Sequence, residues 1–215
     1  MSLKKEINNS DLETIKVMID KDPSLCNTVI KWGPLFKNKS HPLHYLSDRV
    51  FANQLDDEKA ADIARLLIDR GADINGYGFE ELKDTPLVAA ASLHADAVAI
   101  VLIEAGADIH HAGCFGGTAL HWAAWCGRDS VVKRLLEEKI DLDRRCITNQ
   151  STAFFWAAHG RANGGEKNQH DQLACAKMLM DAGSDITIPN INNITAAELL
   201  KDDEAFMQII RDQIP

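Results

Sequence analysis

Two short phrases recur in step along this chain, and no other feature restricts its fold as much. His41-Pro42-Leu43-His44 returns as Thr85-Pro86-Leu87, Thr118-Ala119-Leu120-His121, Thr152-Ala153-Phe154 and Thr195-Ala196-Ala197, at intervals of 44, 33, 34 and 43 residues. A second phrase keeps the same order: Gly71-Ala72-Asp73-Ile74-Asn75, Gly106-Ala107-Asp108-Ile109-His110 and Gly183-Ser184-Asp185-Ile186-Thr187, with Lys139-Ile140-Asp141-Leu142-Asp143 as a degenerate copy. Units of this length cannot bury an apolar face alone, so the period implies stacked copies of one small motif.

The residues inside the period describe that motif. Thr85 and Thr118 suit helix N-caps, and Pro86 suits a first helical position. Leu87, Ala90 and Ala91 then form an apolar stripe at helical spacing. A second helix carries Val98, Val101 and Leu102 in one copy, and Val131, Val132, Leu135 and Leu136 in the next. Gly71, Gly106 and Gly183 end these second helices, where a left-handed residue carries no Cβ penalty. Small residues at Ala90, Ala91, Ala123, Ala124, Ala157 and Ala158 let first helices lie close together.

These phrases resemble the T-P-L-H-x-A signature of the ankyrin-repeat family. The resemblance implies an all-α solenoid of helix-turn-helix units joined by projecting hairpin loops. It covers nearly the whole chain, read as one domain over 1–215. Residues 1–40 make an N-terminal cap unit and a long first hairpin, 41–84, 85–117, 118–151 and 152–194 make repeats, and 195–215 make the C-terminal cap. The chain departs from the pattern at several points. The signature histidine is present at His44 and His121 but is Val88, Phe155 and Glu198 elsewhere. His94 stands where a glycine should follow a first helix. Lys139 replaces a helix-ending glycine, which predicts a strained positive φ there. The first hairpin, 31–38, is long and carries Trp32 and Phe36, which suit a cover for the first stacking interface or a binding rim. Two units are lengthened near Arg49–Asp57 and Gly160–His170. The second of these reads as a loop by composition, and both are expected at the end opposite the hairpin tips.

Function classes narrow by exclusion. The longest aliphatic stretch, Ala97 to Ile103, is far short of the roughly 18 apolar residues of a membrane-spanning helix. The first ten residues lack the apolar core of a secretory signal. Five cysteines with no CxxC pair argue against a disulfide framework and for a reducing, cytoplasmic setting. A net charge of −9 repels phosphate backbones and anionic lipids, which speaks against nucleic-acid and membrane partners. No P-loop, G-x-S-x-G or H-E-x-x-H occurs, and no order of residues singles out a nucleophile with its base. The reading is therefore non-enzymatic, without a cofactor and monomeric. His110, His111, Cys114, His121 and Cys126 include good zinc ligands, but the repeat register spreads them from a hairpin tip to the far end of a helix. A small-molecule- or metal-responsive regulatory domain built on His110, His111 and Cys114 stands as the second reading.

Surface recognition remains. The family resemblance implies that a partner protein lies across the hairpin tips and the concave face of the first helices. By register the concave positions are Asp48 and Arg49, Ser92 and Leu93, Trp125 and Cys126, and His159 with Gly160. The tips include Tyr77 and Phe79, Cys114 and Phe115, and Thr148 and Asn149. Phe115, Trp125 and Leu93 are expected to form an exposed apolar patch, since large aromatics in an exposed groove are interface anchors. Trp125 could equally pack on a neighbouring unit or an inserted loop. Trp122 and Trp156, one residue past the histidine position, are expected in the core.

Overall fold

The recurring phrases become helix starts. In the computed structural model, which describes residues 2–34, 37–76, 84–164 and 171–212, His41, Thr85, Thr118, Thr152 and Thr195 each sit in extended backbone immediately before a helix. Pro42 and Pro86 occupy the first helical turn, where the missing N–H is harmless. The described residues fall into two compact units, 1–111 and 112–215.

The first unit begins with α1 (Leu3–Asn9) and α2 (Leu12–Lys21), the helices of the N-terminal cap unit. Asp22 ends α2 and caps the 3-10 turn Pro23–Asn27. A two-stranded antiparallel hairpin follows, β1 (Ile30–Trp32) and β2 (Asn38–Ser40), a small addition to an otherwise helical fold. Trp32 packs edge-on against Tyr45 at 6.0 Å. Then come α3 (Pro42–Phe51), α4 (Asp57–Asp69), α5 (Pro86–Ser92) and α6 (Asp96–Glu104). First helix packs on first helix and second on second, and Leu43, Leu46, Ile63, Leu67, Leu87 and Leu102 are fully buried between them.

The second unit holds α7 (Ala119–Cys126), α8 (Asp129–Leu136), α9 (Ala153–Asn163), α10 (Gln172–Asp181), α11 (Ala196–Leu199) and α12 (Glu204–Arg211). Its core includes Leu120, Val131, Leu135, Phe154, Leu179 and Phe206. The segment read as a loop from Gly160 is partly helix: α9 continues to Asn163, and Arg161 grips Asp203 through Nε at 2.6 Å and Nη2 at 3.1 Å. That charge-assisted, two-bond contact to the cap of α12 gives the extra turn a partner that composition alone does not reveal. Residues 165–170 of that insert, like Phe36 in the first hairpin, lie outside the described residues.

Helix ends follow two patterns, and one expectation fails. After α3, α5 and α7 the left-handed position is taken by Asn53 (φ 53°), His94 (φ 61°) and Gly127 (φ 65°). In each the next amide bonds back five residues, as in Ala95 N to Ala90 O at 3.0 Å. After α4, α6 and α10 the same closure uses Gly71, Gly106 and Gly183 at φ 90°, 87° and 97°. Lys139 is not at positive φ. α8 stops at Leu136, and the chain turns through Glu138 N to Leu135 O (3.1 Å) and Ile140 N to Glu138 O (2.9 Å). Arg134 reaches Glu138 at 2.8 Å across this exit. The helix therefore ends before the strained position is needed, and lysine is accommodated without it.

Candidate protein-binding cleft

The site is built from positions that the repeat makes equivalent. Trp122 on α7 and Trp156 on α9 occupy the same place in successive copies, and so do Trp125 and His159. Stacking the copies brings each pair together. The Trp122 and Trp156 rings meet edge to face with centroids 5.1 Å apart, and Trp125 Nε1 donates to His159 Nδ1 at 3.1 Å. Trp122 also meets Trp125 at 6.1 Å and 80°, and Phe115 at 6.1 Å. The close approach depends on glycine at 117, where a Cβ would lie 2.9 Å from Trp156 and 3.3 Å from Trp122 Nε1.

Between these rings lies a cleft of about 290 Å³, walled by Phe115, Trp122, Trp125, Thr148, Asn149, Ser151, Phe155, Trp156 and His159. Phe115 stands over it from a hairpin tip. It is 57% exposed although aromatic, and it is held at φ 58°. A non-glycine residue at such a φ costs on the order of 1 kcal/mol. The neighbouring hairpin holds it there, because Thr148 donates to Phe115 O through both N (3.2 Å) and Oγ1 (3.1 Å). Ile191 N donates in turn to Asn149 O at 2.7 Å, so successive tips are laced by main-chain bonds. Ile147 and Ile191, 71% and 60% exposed, add aliphatic surface along this row.

Beneath the cleft the His121 and Trp156 ring nitrogens are engaged. His121 is buried at the start of α7, as its place in the repeat implies. Its Nδ1 accepts from Thr118 N at 3.2 Å, so the proton sits on Nε2, which faces Arg144 O (3.1 Å) and Ser151 O (3.3 Å). Burial pushes its pKa down to about 4. Trp156 Nε1 donates to Ser151 Oγ at 3.2 Å and Cys146 Sγ at 3.4 Å. Trp122 Nε1 is buried with no partner among the described residues.

Of the residues expected at a binding surface, Phe115, Trp125, Thr148, Asn149 and His159 come together in this cleft. Trp125 is half-buried, packing on the next repeat while keeping an open face. Cys126 is only 3% exposed and presents no contact surface, because its side of α7 faces the core. Cys114 is exposed at the same tip as Phe115. Ser92 and Leu93 close α5 in the first unit, both half-buried. Tyr77 and Phe79 lie outside the described residues. Trp156 is core-like at 8% exposure, as expected, but Trp122 is half-buried and both form walls of the cleft. The sequence reading also passed over Phe155 and Ser151 as walls. The signal for them was the register itself: Phe155 replaces the signature histidine, and Ser151 precedes a helix-starting Thr.

The equivalent positions in the first unit carry different chemistry. The Arg49 guanidinium sits over the rings of Trp32 (5.5 Å) and Tyr45 (5.3 Å). Asp48 accepts from Ser40 Oγ at 3.0 Å, and Ser40 Oγ accepts from Trp32 Nε1 at 2.9 Å. Burial pushes the Asp48 carboxyl up. Among the described residues no group of three or more His, Cys, Asp or Glu could hold a metal ion.

A family model for ankyrin repeats matches residues 51–146 and 109–190, more than half of the chain. The chain belongs to the ankyrin-repeat family. A solved structure described as EF0377, an ankyrin repeat protein, is similar at 25% identity with a TM-score of 0.69, over 98% of this chain and 96% of that one. The chain is also 26% identical over 209 residues to the E3 ubiquitin-protein ligase XBAT32 of Arabidopsis thaliana, covering 89% of this chain but 38% of the ligase. No helix among the described residues is long and apolar enough to cross a membrane.

Proposed function

We propose that this chain is a non-enzymatic recognition module that binds a partner protein through the cleft between α7 and α9 and the hairpin tips beside it. One observation carries the reading: an exposed aromatic, Phe115, is held in a strained conformation at the mouth of a cleft walled by three indoles. Folding alone gains little from such an arrangement, since a smaller polar residue would solvate the tip and relax the backbone. A partner side chain seated in the cleft would remove both ring faces from water, and buried aromatic anchors dominate interface energies.

The cleft walls select the kind of side chain. Trp125 and Trp156 have their N–H groups bonded within the protein, and that of Trp122 is buried. What faces the cavity is mainly ring carbon, suited to an apolar or aromatic group of the partner and poorly suited to a carboxylate or phosphate. The exposed Ile147 and Ile191 extend the contact along the tips. The likeness to a ubiquitin ligase spans only 38% of that protein, so its ligase activity is not carried over.

Affinity capture with the wild-type chain and with Trp125→Ala tests the proposal. A protein retained by the former and lost by the latter, with unchanged circular dichroism, supports it. Equal retention of every captured protein by both refutes the cleft as the contact surface. A stoichiometric metal in the purified protein would instead favour the regulatory-domain reading.

A further inference from the structure

We infer that His159 is a positioning residue of the cleft: its Nδ1 fixes the Trp125 indole as a preformed apolar wall for the partner's side chain. This rests on the docking reading above and adds the device that shapes the site. An indole attached through two rotatable bonds has several staggered positions. Gln172 anchors the Trp125 backbone, and His159 holds its ring in one of these positions. At the backbone, its carbonyl accepts from Gln172 Nε2 at 3.3 Å. At the ring, its Nε1 donates to His159 Nδ1 at 3.1 Å.

The neighbouring glycine makes this reach possible. A Cβ at Gly160 would stand 2.1 Å from Trp125 O and 3.1 Å from Trp125 Cα. The α7 and α9 backbones therefore approach more closely at this point than any side chain permits, which brings His159 within bonding distance of the indole. Because Nδ1 accepts, the proton of the neutral imidazole is on Nε2. The bond has two consequences for the cleft. It consumes the Trp125 donor, leaving carbon on the wall. It also orders the ring before a ligand arrives, so binding does not carry that ordering cost.

The test uses the full chain labelled with ¹⁵N, the indole N–H signals of its tryptophans, and free indole as the probe. In wild-type protein the Trp125 Nε1–H should exchange slowly with solvent and shift on adding indole. His159→Leu removes the acceptor and should speed that exchange at least about tenfold and raise the indole Kd about fivefold, through lost hydrogen bonding and lost pre-organisation. His159→Gln offers a side-chain oxygen and should bring both values back to within about twofold of wild type. A merely structural role would not separate Leu from Gln in this way. Trp125→Phe keeps a ring without the N–H, and combining it with His159→Leu should lose no more affinity than either change alone. Wild-type exchange and affinity in His159→Leu, or additive losses in the double variant, would overturn the inference. Slow exchange in a wild-type protein that shows no shift with indole would instead sink the docking reading and leave the hydrogen bond standing.

Discussion

The ends of α3 and α7 occupy the same place in the repeat and hold opposite chemistries. On α3, Asp48 and Arg49 are engaged by their own unit: Arg49 lies over Trp32 and Tyr45, and Asp48 takes the Ser40 hydroxyl that also serves Trp32. The first hairpin supplies that cover. On α7, Trp125 gives its N–H to His159 and keeps an open ring face above a cleft of about 290 Å³. The difference teaches that a repeat position is a place on a scaffold, whose function depends on what neighbouring loops leave uncovered. In the first unit the loop closes the position, while in the second the tips frame it.

Acid should be the strongest perturbation, and it should act on both units alike. His41 caps α3 by accepting from Leu43 N at 3.2 Å, and His121 serves α7, each with its pKa lowered by burial to about 4. The folded values lie below the ordinary value of about 6.5, so stability from keeping these rings neutral is present above pH 6.5 and is lost as pH falls toward 4. Each should cost about 2–3 kcal/mol at pH 4. His41→Thr restores the cap found in the other repeats and should remove that loss for the first unit alone. Urea denaturation at pH 7 and pH 4.5 checks it, and an unchanged pH dependence would show that His41 is not protonated on unfolding.

The cleft comparison itself comes next in size. Trp125→Ala should weaken partner binding by about 2 kcal/mol or more, as for a hot-spot aromatic. Arg49→Ala should leave partner affinity unchanged while lowering stability, because its rings belong to its own unit. Titration calorimetry with the captured partner reads the first, and thermal melting the second. Equal affinity losses for both would erase the distinction drawn between the two helix ends.

Gly160→Ala sharpens the same contrast at the backbone. Overpacking typically costs 1–3 kcal/mol, so about 2 kcal/mol of stability should be lost as α7 and α9 separate. The Trp125–His159 bond should break with it, visible as a shift in tryptophan emission. An unchanged melt and spectrum would mean that the helices have room to spare.

The smallest effects concern helix ends. His94→Gly should stabilise the first unit by about 0.5–1 kcal/mol, because His94 holds the left-handed position that Gly127 fills after α7. Lys139→Gly should bring no such gain, since Lys139 is not at positive φ, and it should cost a few tenths to about 1 kcal/mol through unfolded-chain entropy. Denaturant midpoints of the two variants moving in the same direction would contradict this pairing.

The legible part of the molecule was its periodic part. Thr85, Thr118 and Thr152 announce helix starts, and Gly71, Gly106 and Gly183 announce helix ends, through local steric and hydrogen-bonding rules that act over a few residues. The same register singled out Phe115, Trp125 and His159, which line one cleft. It failed at Lys139, where the helix stops early, and at Gly160–Asn163, where an ion pair to Asp203 extends a helix into a segment composed like a loop. Both outcomes depend on neighbours that local pattern does not contain.

Sequence alone determined the repeat, the helix pairs and the family, because period, caps and apolar stripes are properties of short stretches of chain. Tertiary structure alone decided that Trp122 and Trp156 wall a cleft, that His159 meets Trp125, and that the first hairpin covers Arg49. Those pairings join residues up to 34 positions apart, as in Trp125 and His159. They depend on ångström-scale gaps between stacked helices, such as the space that glycine leaves at Gly117 and Gly160. A sequence pattern specifies which faces must be buried, while the distance of closest approach between backbones specifies which side chains then touch.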